Sequence, residues 1–250
     1  MHIVALFNLK GGVGKTSTAI NLAWAAAADG CRTLLWDLDA QGGASYILRR
    51  KPLKQGVTRA FRKGTPLAKL VRDTLYERLA LIPASPANRK LDILLDRHGA
   101  KRKLLSKLVA PLAEDYDVLV LDCPPSLSAL AEQILLASDL IVTPVVPAPL
   151  SANAFEAVAS HLDAHEISRK KLRPVFNLVD RRRTLHRQWI TRPPKGFGRR
   201  FETVLPAAAV VEQMSLRREP LGEFAPRAPA SEAFQRLWIE VLESLQTKCC

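Results

Sequence analysis

Along the chain, apolar runs of strand length alternate with amphipathic stretches of helix length. That alternation predicts an α/β fold, a mostly parallel twisted sheet with helices on both faces. The first unit reads as a strand over residues 2–7, a glycine-rich loop, and a helix over about 15–29. Gly30 suits the left-handed position that ends a helix. Strands follow at 33–36, 79–82, 118–121, 140–145, 174–178 and 202–205, and a last helix at 231–245. In that helix Phe234, Leu237, Trp238, Val241, Leu242 and Leu245 form an apolar stripe that predicts core packing, with Glu240 and Glu243 on the opposite face. No internal repeat or low-complexity linker interrupts the pattern, and one domain over 1–250 is expected.

Two of the strands run directly into acids. The strand at 33–36 continues into Asp37-Leu38-Asp39-Ala40-Gln41-Gly42-Gly43, and the strand at 118–121 into Asp122-Cys123-Pro124-Pro125. Ligands of open α/β sheets bind outside the carboxyl ends of the strands, so acids at those ends are placed for chemistry while the apolar residues behind them form core.

Composition narrows the picture. With 250 residues and 48% hydrophobic content the chain can bury one substantial core. Neither a long apolar run nor a charged, apolar, small-residue leader opens it, so a cytoplasmic protein is expected. The four cysteines, Cys31, Cys123, Cys249 and Cys250, have no CxxC spacing and no histidines at metal-ligand intervals. Zinc, iron–sulfur and a disulfide framework are therefore disfavoured, and reduced thiols are the simplest expectation. His161 and His165 stand four apart without a third ligand nearby and receive no role. The formal net charge of +13 favours a polyanionic partner. It is unevenly spread: from Arg169 to Arg200 twelve Lys or Arg face one acid, Asp180, and a second acid-free cluster runs through Arg49, Lys51, Lys54, Arg59, Arg62, Lys63 and Lys69.

The loop after the first strand carries the sharpest chemistry. Glycines allow backbone N–H groups to wrap a phosphate at a helix N-terminus, and Gly11, Gly12 and Gly14 supply them. Lys15 offers a charge to the β and γ phosphates, and the Thr16 hydroxyl suits magnesium. The GxxxxGK[ST] pattern would place glycine at position 9, where this chain has Leu9. Read whole, Lys10-Gly11-Gly12-Val13-Gly14-Lys15-Thr16 resembles the deviant Walker A sequence of the ParA/MinD ATPases.

The resemblance implies a single P-loop NTPase domain that uses ATP and Mg2+, with Ser17 also in the nucleotide site. It implies that Lys10 contacts phosphate bound by a partner subunit, so that ATP is sandwiched in a homodimer. Asp37-Leu38-Asp39 with Gln41-Gly42 is similar to the family's switch I, where the second acid positions the attacking water, so Asp39 is the catalytic candidate beside Lys10 and Lys15. Asp122 resembles the Walker B acid that holds magnesium through water, and Thr16, Asp39 and Asp122 form the implied metal set. Asn177 and the turn at Pro206 and Ala207 match positions that border the adenine.

Three functions fit such a chain. The first is a ParA-like ATPase that binds double-stranded DNA without sequence preference, locates on the nucleoid, positions or segregates a cargo, and is stimulated by a ParB-like or other adaptor protein. Non-specific DNA binding needs phosphate neutralisation rather than base readout, and the candidates are Arg182, Arg183, Arg187, Arg199, Arg200, Arg217 and Arg218. The stretch from Arg181 to Arg200, with Pro193, Pro194, Gly196 and Gly198, departs from the family's usual helix and is expected to be a mobile insertion. The alternative is a MinD-like membrane-associated ATPase, which would need a basic amphipathic C-terminal helix. Glu240 and Glu243 oppose anionic lipid and only Lys248 follows them, so a membrane is not the expected partner. A metabolic enzyme on the same fold is the third, and its reductase form would need cluster cysteines at helix starts.

Overall fold

The computed structural model describes residues 1–54, 58, 60–61, 64–90, 95 and 103–246. Arg59, Arg62, Lys63, Lys248, Cys249 and Cys250, singled out above, lie outside the described residues.

The strands are β1 (His2–Leu6), β2 (Thr33–Asp37), β3 (Arg72–Asp73), β4 (Leu79–Ile82), β5 (Val118–Asp122), β6 (Leu140–Val145), β7 (Leu172–Val179) and β8 (Val204–Pro206). They form one sheet in the order β3-β4-β2-β5-β1-β6-β7-β8, parallel throughout except for β3 against β4. The central strands are apolar because helices cover both faces. Val118, Leu119, Val120 and Leu121 are all buried, and alternate residues serve opposite cores. Ile3, Ala5 and Phe7 face a core shared with Ile134 of the helix Ala129–Ala137 and Val158 of the helix Pro149–Ala164. Val4 and Leu6 face the other, shared with the helix Lys15–Ala28 and the last helix, Pro229–Leu245.

Predicted strands and observed strands agree within two residues, and the differences have local causes. β3 is two exposed residues, too short to leave an apolar signature. β8 begins at Val204 rather than 202 because the carboxylate of Glu240 accepts hydrogen bonds from the backbone N–H groups of Glu202 (2.7 Å) and Thr203 (2.8 Å). Glu240 is thus a brace rather than a merely solvated face. The last helix starts two residues early, with Pro229 at the first-turn position where its missing N–H costs nothing. Its stripe is core as expected: Phe234, Leu237, Trp238 and Val241 are buried.

The stretch 181–200 is not a mobile insertion but a packed lobe. It forms the helix Thr184–Thr191, and Trp189 and Phe197 close an aromatic cluster on Phe155 and Phe176, with centroids 4.7–6.1 Å apart. Apolar residues among the basic ones anchor it. Cys123 is a buried free thiol.

Candidate functional site

β1 ends under the loop of residues 8–14, and the helix Lys15–Ala28 leaves it at the carboxyl end of the sheet. Asn8 ties the loop down on both sides. Its amide donates to the Pro144 carbonyl of β6 (2.7 Å), and its Oδ1 accepts from the Lys10 N–H (2.9 Å). Gly12 and Gly14 hold left-handed backbone, with φ of 71° and 86°. A methyl group on Gly14 would strike the Asn177 amide, whereas Gly11 and Gly12 border open space, as a phosphate cradle requires. The Thr18 and Ser17 hydroxyls donate to the Gly14 carbonyl at 2.7 and 3.2 Å, fixing the first helical turn.

Lys15 is buried, and its ammonium donates to the Lys10 carbonyl at 3.2 Å. Burial lowers its pKa, an effect opposed by the charges of Asp122 and Asp39. The two acidic strand ends stand side by side, Asp37 of β2 in register with Asp122 of β5. Asp37 Oδ2 accepts from the Ser45 N–H (2.8 Å) and hydroxyl (2.7 Å), and Ser45 Oγ accepts from the Ala84 N–H (2.8 Å). Asp37 Oδ1 and both Asp122 oxygens are buried without a hydrogen-bond partner among the described residues. Burial therefore pushes Asp37 up to about 6, and burial with the neighbouring Asp37 holds Asp122 well above the usual carboxylate range. Thr16 lies near enough to lower the Asp122 pKa without a well-aligned hydrogen bond. Unpartnered buried carboxylate oxygens beside a threonine hydroxyl are hard donors waiting for a hard cation, so Thr16 and Asp122 fit magnesium.

Asp39 is half-buried just beyond β2. Its Oδ1 accepts from the Gln41 N–H (2.9 Å), and its charge reaches Lys15, Asp37 and Asp122. The structure thus gathers Lys10, Gly11, Gly12, Val13, Gly14, Lys15, Thr16, Ser17, Asp39 and Asp122 around one loop. Asn177 joins them in an unexpected way. Its Nδ2 donates to the Val13 carbonyl (2.7 Å), so its amide props the loop. Ala207 follows at the neighbouring strand end, its N–H on the Val179 carbonyl (3.0 Å). Asn8, Asp37 and Ser45 were missed as site residues. The available signal was position: a polar residue between an apolar strand and a glycine loop, and the first acid of the Asp-Leu-Asp run.

The arginines are not brought together. Arg182, Arg183 and Arg187 are exposed beyond the carboxyl end of β7, Arg182 pairing with Asp180 at 2.9 Å. Arg199 and Arg200 lie near the start of β7, where Arg173 donates to the Arg199 carbonyl and Phe201 to that of Pro174. The length of β7 separates the two groups by about 20–25 Å. Arg217 and Arg218 form a third group, with guanidiniums over the rings of Phe224 (4.9 Å) and Tyr46 (4.6 Å). Cavities of about 490 Å³ beside Trp24 and Tyr76 and about 480 Å³ beside Ile239 lie away from the loop. Chemistry rather than cavity size locates the site.

A glycine-wrapped helix N-terminus with a buried lysine, flanked by acids on neighbouring parallel strands, defines a P-loop nucleotide-binding fold. Comparison with known proteins narrows the class. Residues 1–174 match the AAA_31 family model, described as an AAA domain. The chain is 35% identical over 251 residues to the chromosome-partitioning ATPase Soj of Thermus thermophilus, covering 97% of this chain and 96% of that protein. It belongs to the ParA/MinD family of P-loop ATPases.

The fold is shared more widely. A Cyanothece McdA variant in complex with ATP superposes with a TM-score of 0.83 at 17% identity, over 99% of this chain and 97% of that one. Cobyrinic acid a,c-diamide synthase from Mycobacterium smegmatis, with bound ADP and magnesium, gives 0.80 at 21%, over 98% and 96%. McdA and a cobyrinic acid a,c-diamide synthase thus share this architecture, and the site must carry the functional argument.

Proposed function

We propose that this chain is an ATPase that converts ATP and water to ADP and phosphate, dimerises around ATP, binds duplex DNA non-specifically and positions or segregates a cargo. The observation that carries the ATPase reading is the buried Lys15, held on the Lys10 carbonyl beside the unpartnered oxygens of Asp122. Such a cation and such acids are poised for phosphate and magnesium. A magnesium ion held there would supply charge neutralisation to the phosphate oxygens. The loop N–H groups and Lys15 hold the phosphates in line, Ser17 completes the loop's first turn, and Asp39 orients the attacking water. Thr16 and Asp122, with Asp39 near them, would hold the metal. Lys10, on the same loop, serves phosphate in the neighbouring subunit, and Asn177, Pro206 and Ala207 border the adenine.

Slow basal turnover follows when the second lysine arrives only with a partner, and an adaptor of the ParB kind accelerates it. The net charge of +13 supports DNA as the partner and the nucleoid of the cytoplasm as the location. The last helix gives no support to the membrane reading, since its apolar stripe is buried in the core, and among the described residues no helix is long and apolar enough to cross a membrane.

A gel-shift titration with a random-sequence duplex tests this. ATP with magnesium is expected to give a dimer that binds DNA and releases it as salt rises, ADP is not, and Asp39→Ala is expected to hold the bound state by blocking hydrolysis. Equal binding with ADP and ATP would sink the switch, and undiminished turnover in Asp39→Ala would remove Asp39 from its role.

A further inference from the structure

One cluster of contacts ties the nucleotide site to a basic surface. The helix Gly43–Ile47 begins four residues after Asp39, and Gly42 donates its N–H to the Asp39 carbonyl (3.0 Å). The helix is seated on the site at two points. Ser45 holds Asp37, and Gly43 lies against the Thr16 methyl so closely that a Cβ there would come within 3.1 Å of it. The five residues of the helix form a short lever that reaches away from the site. Its far end grips the turn after the helix Ala209–Arg217. Arg49 donates through Nε to the Arg218 carbonyl (3.1 Å) and through Nη2 to the Arg217 carbonyl (2.9 Å) and to Glu219 (2.8 Å). Arg218 answers by donating Nε to the Tyr46 carbonyl (2.9 Å) while its guanidinium covers the Tyr46 ring. Arg49 and Arg218 both hold left-handed backbone, φ 56° and 58°, at the C-terminal ends of their helices, which turns each chain toward the other contact.

An exposed Arg49 with three acceptors and a half-buried Arg218 that donates back across this distance in sequence are more than a solvated face. The helix is thus in contact with the Asp39 segment at one end and with the basic turn at the other. We propose that Tyr46 and Arg49 are positioning residues that couple the nucleotide state of the Thr16–Asp39 site to the DNA-binding competence of the Arg217–Arg218 turn. The inference rests on the DNA-binding reading above. Coupling of this kind needs an element that contacts both sites, and the helix with Arg49 does so.

Fluorescence anisotropy of the full chain on a labelled random-sequence duplex, with ATP–magnesium and with ADP–magnesium, gives a ratio of affinities for each variant. Arg49→Ala and Tyr46→Ala are expected to lower the wild-type ratio about 10-fold, with ATP binding and DNA-free turnover unchanged. Tyr46→Phe is expected to keep the ratio, because the ring and the main-chain acceptor remain. Should Arg49→Ala not fold, Arg49→Lys keeps the charge and loses the two-carbonyl fork, and it is expected to lower the ratio in the same sense. A wild-type ratio retained in the Arg49 variants, or an equal fall in DNA affinity with both nucleotides, overturns the coupling while leaving DNA binding intact. Absence of ATP-dependent DNA binding in the wild type overturns both readings.

Discussion

At the carboxyl end of the central strands, Lys15, Asp37 and Asp122 are buried, close together and fixed by a handful of hydrogen bonds. Beyond β7, Arg182, Arg183 and Arg187 stand in solvent, and most of their contacts are to their own loop. Both regions are rich in charge, yet the first depends on where each atom sits and the second on how much charge is present. A phosphate loop acts through oriented donors in a desolvated site, where a displacement of an ångström matters. A surface for DNA of any sequence acts through phosphate neutralisation, which tolerates rearrangement. Single substitutions should therefore be severe in the first region and shallow in the second.

The largest effect is expected from Lys15→Ala. Loss of the one buried cation of the loop is expected to weaken ATP binding by about 1000-fold, a scale set by charge-assisted contacts to phosphate, as read by titration calorimetry. A loss below about 10-fold would put the phosphates elsewhere. Next comes the triple change of Arg182, Arg183 and Arg187 to Ala. DNA affinity is expected to fall about 100-fold, and the slope of log affinity against log salt by about three. Each single change is expected to cost a fraction of that, and a triple variant that binds like the wild type would move the interface to Arg199–Arg200 or Arg217–Arg218.

The smallest effect concerns pH. Asp37 has a folded pKa of about 6, above its unfolded value. Its contribution to stability is fully present below about pH 4, falls as pH rises toward 6, and stays lost above that. Asp122 acts in the same sense. In the metal-free protein, urea unfolding is expected to show a decline of about 2 kcal/mol across this window, and Asp37→Asn is expected to remove much of it. The exposed Asp180, held at about 2 by Arg182, adds no slope there, so an unchanged slope in Asp37→Asn would contradict the burial that distinguishes the two regions.

Much of this was legible in the residues themselves. The alternation of apolar runs located seven of the described strands, because strands covered on both faces must be apolar throughout. The phosphate loop was legible because its chemistry lies in seven consecutive residues. Asp39 and Asp122 stood out as candidates by their places at or just beyond strand ends, and the family resemblance supplied their expected roles. Less legible were the residues whose work is done across the sheet. Asn8 reaches Pro144 and Asn177 reaches Val13, over 136 and 164 positions of sequence. Glu240 reads as a surface acid until its two backbone donors are seen. The packed lobe at 181–200 reads as mobile because its prolines and arginines outnumber the two aromatic residues that anchor it.

By itself, the order of residues along the chain determined the sheet, the phosphate loop and two candidate acids beside it, Asp39 and Asp122, since each depends on neighbours a few positions apart. Only the tertiary structure decided that Asp37 and Asp122 lie in register, that the candidate arginines fall into three separate groups, and that Arg49 and Tyr46 grip the turn at Arg217–Arg218. Those relations join segments remote in sequence, and local pattern carries no information about which strand ends or which exposed side chains come to face one another.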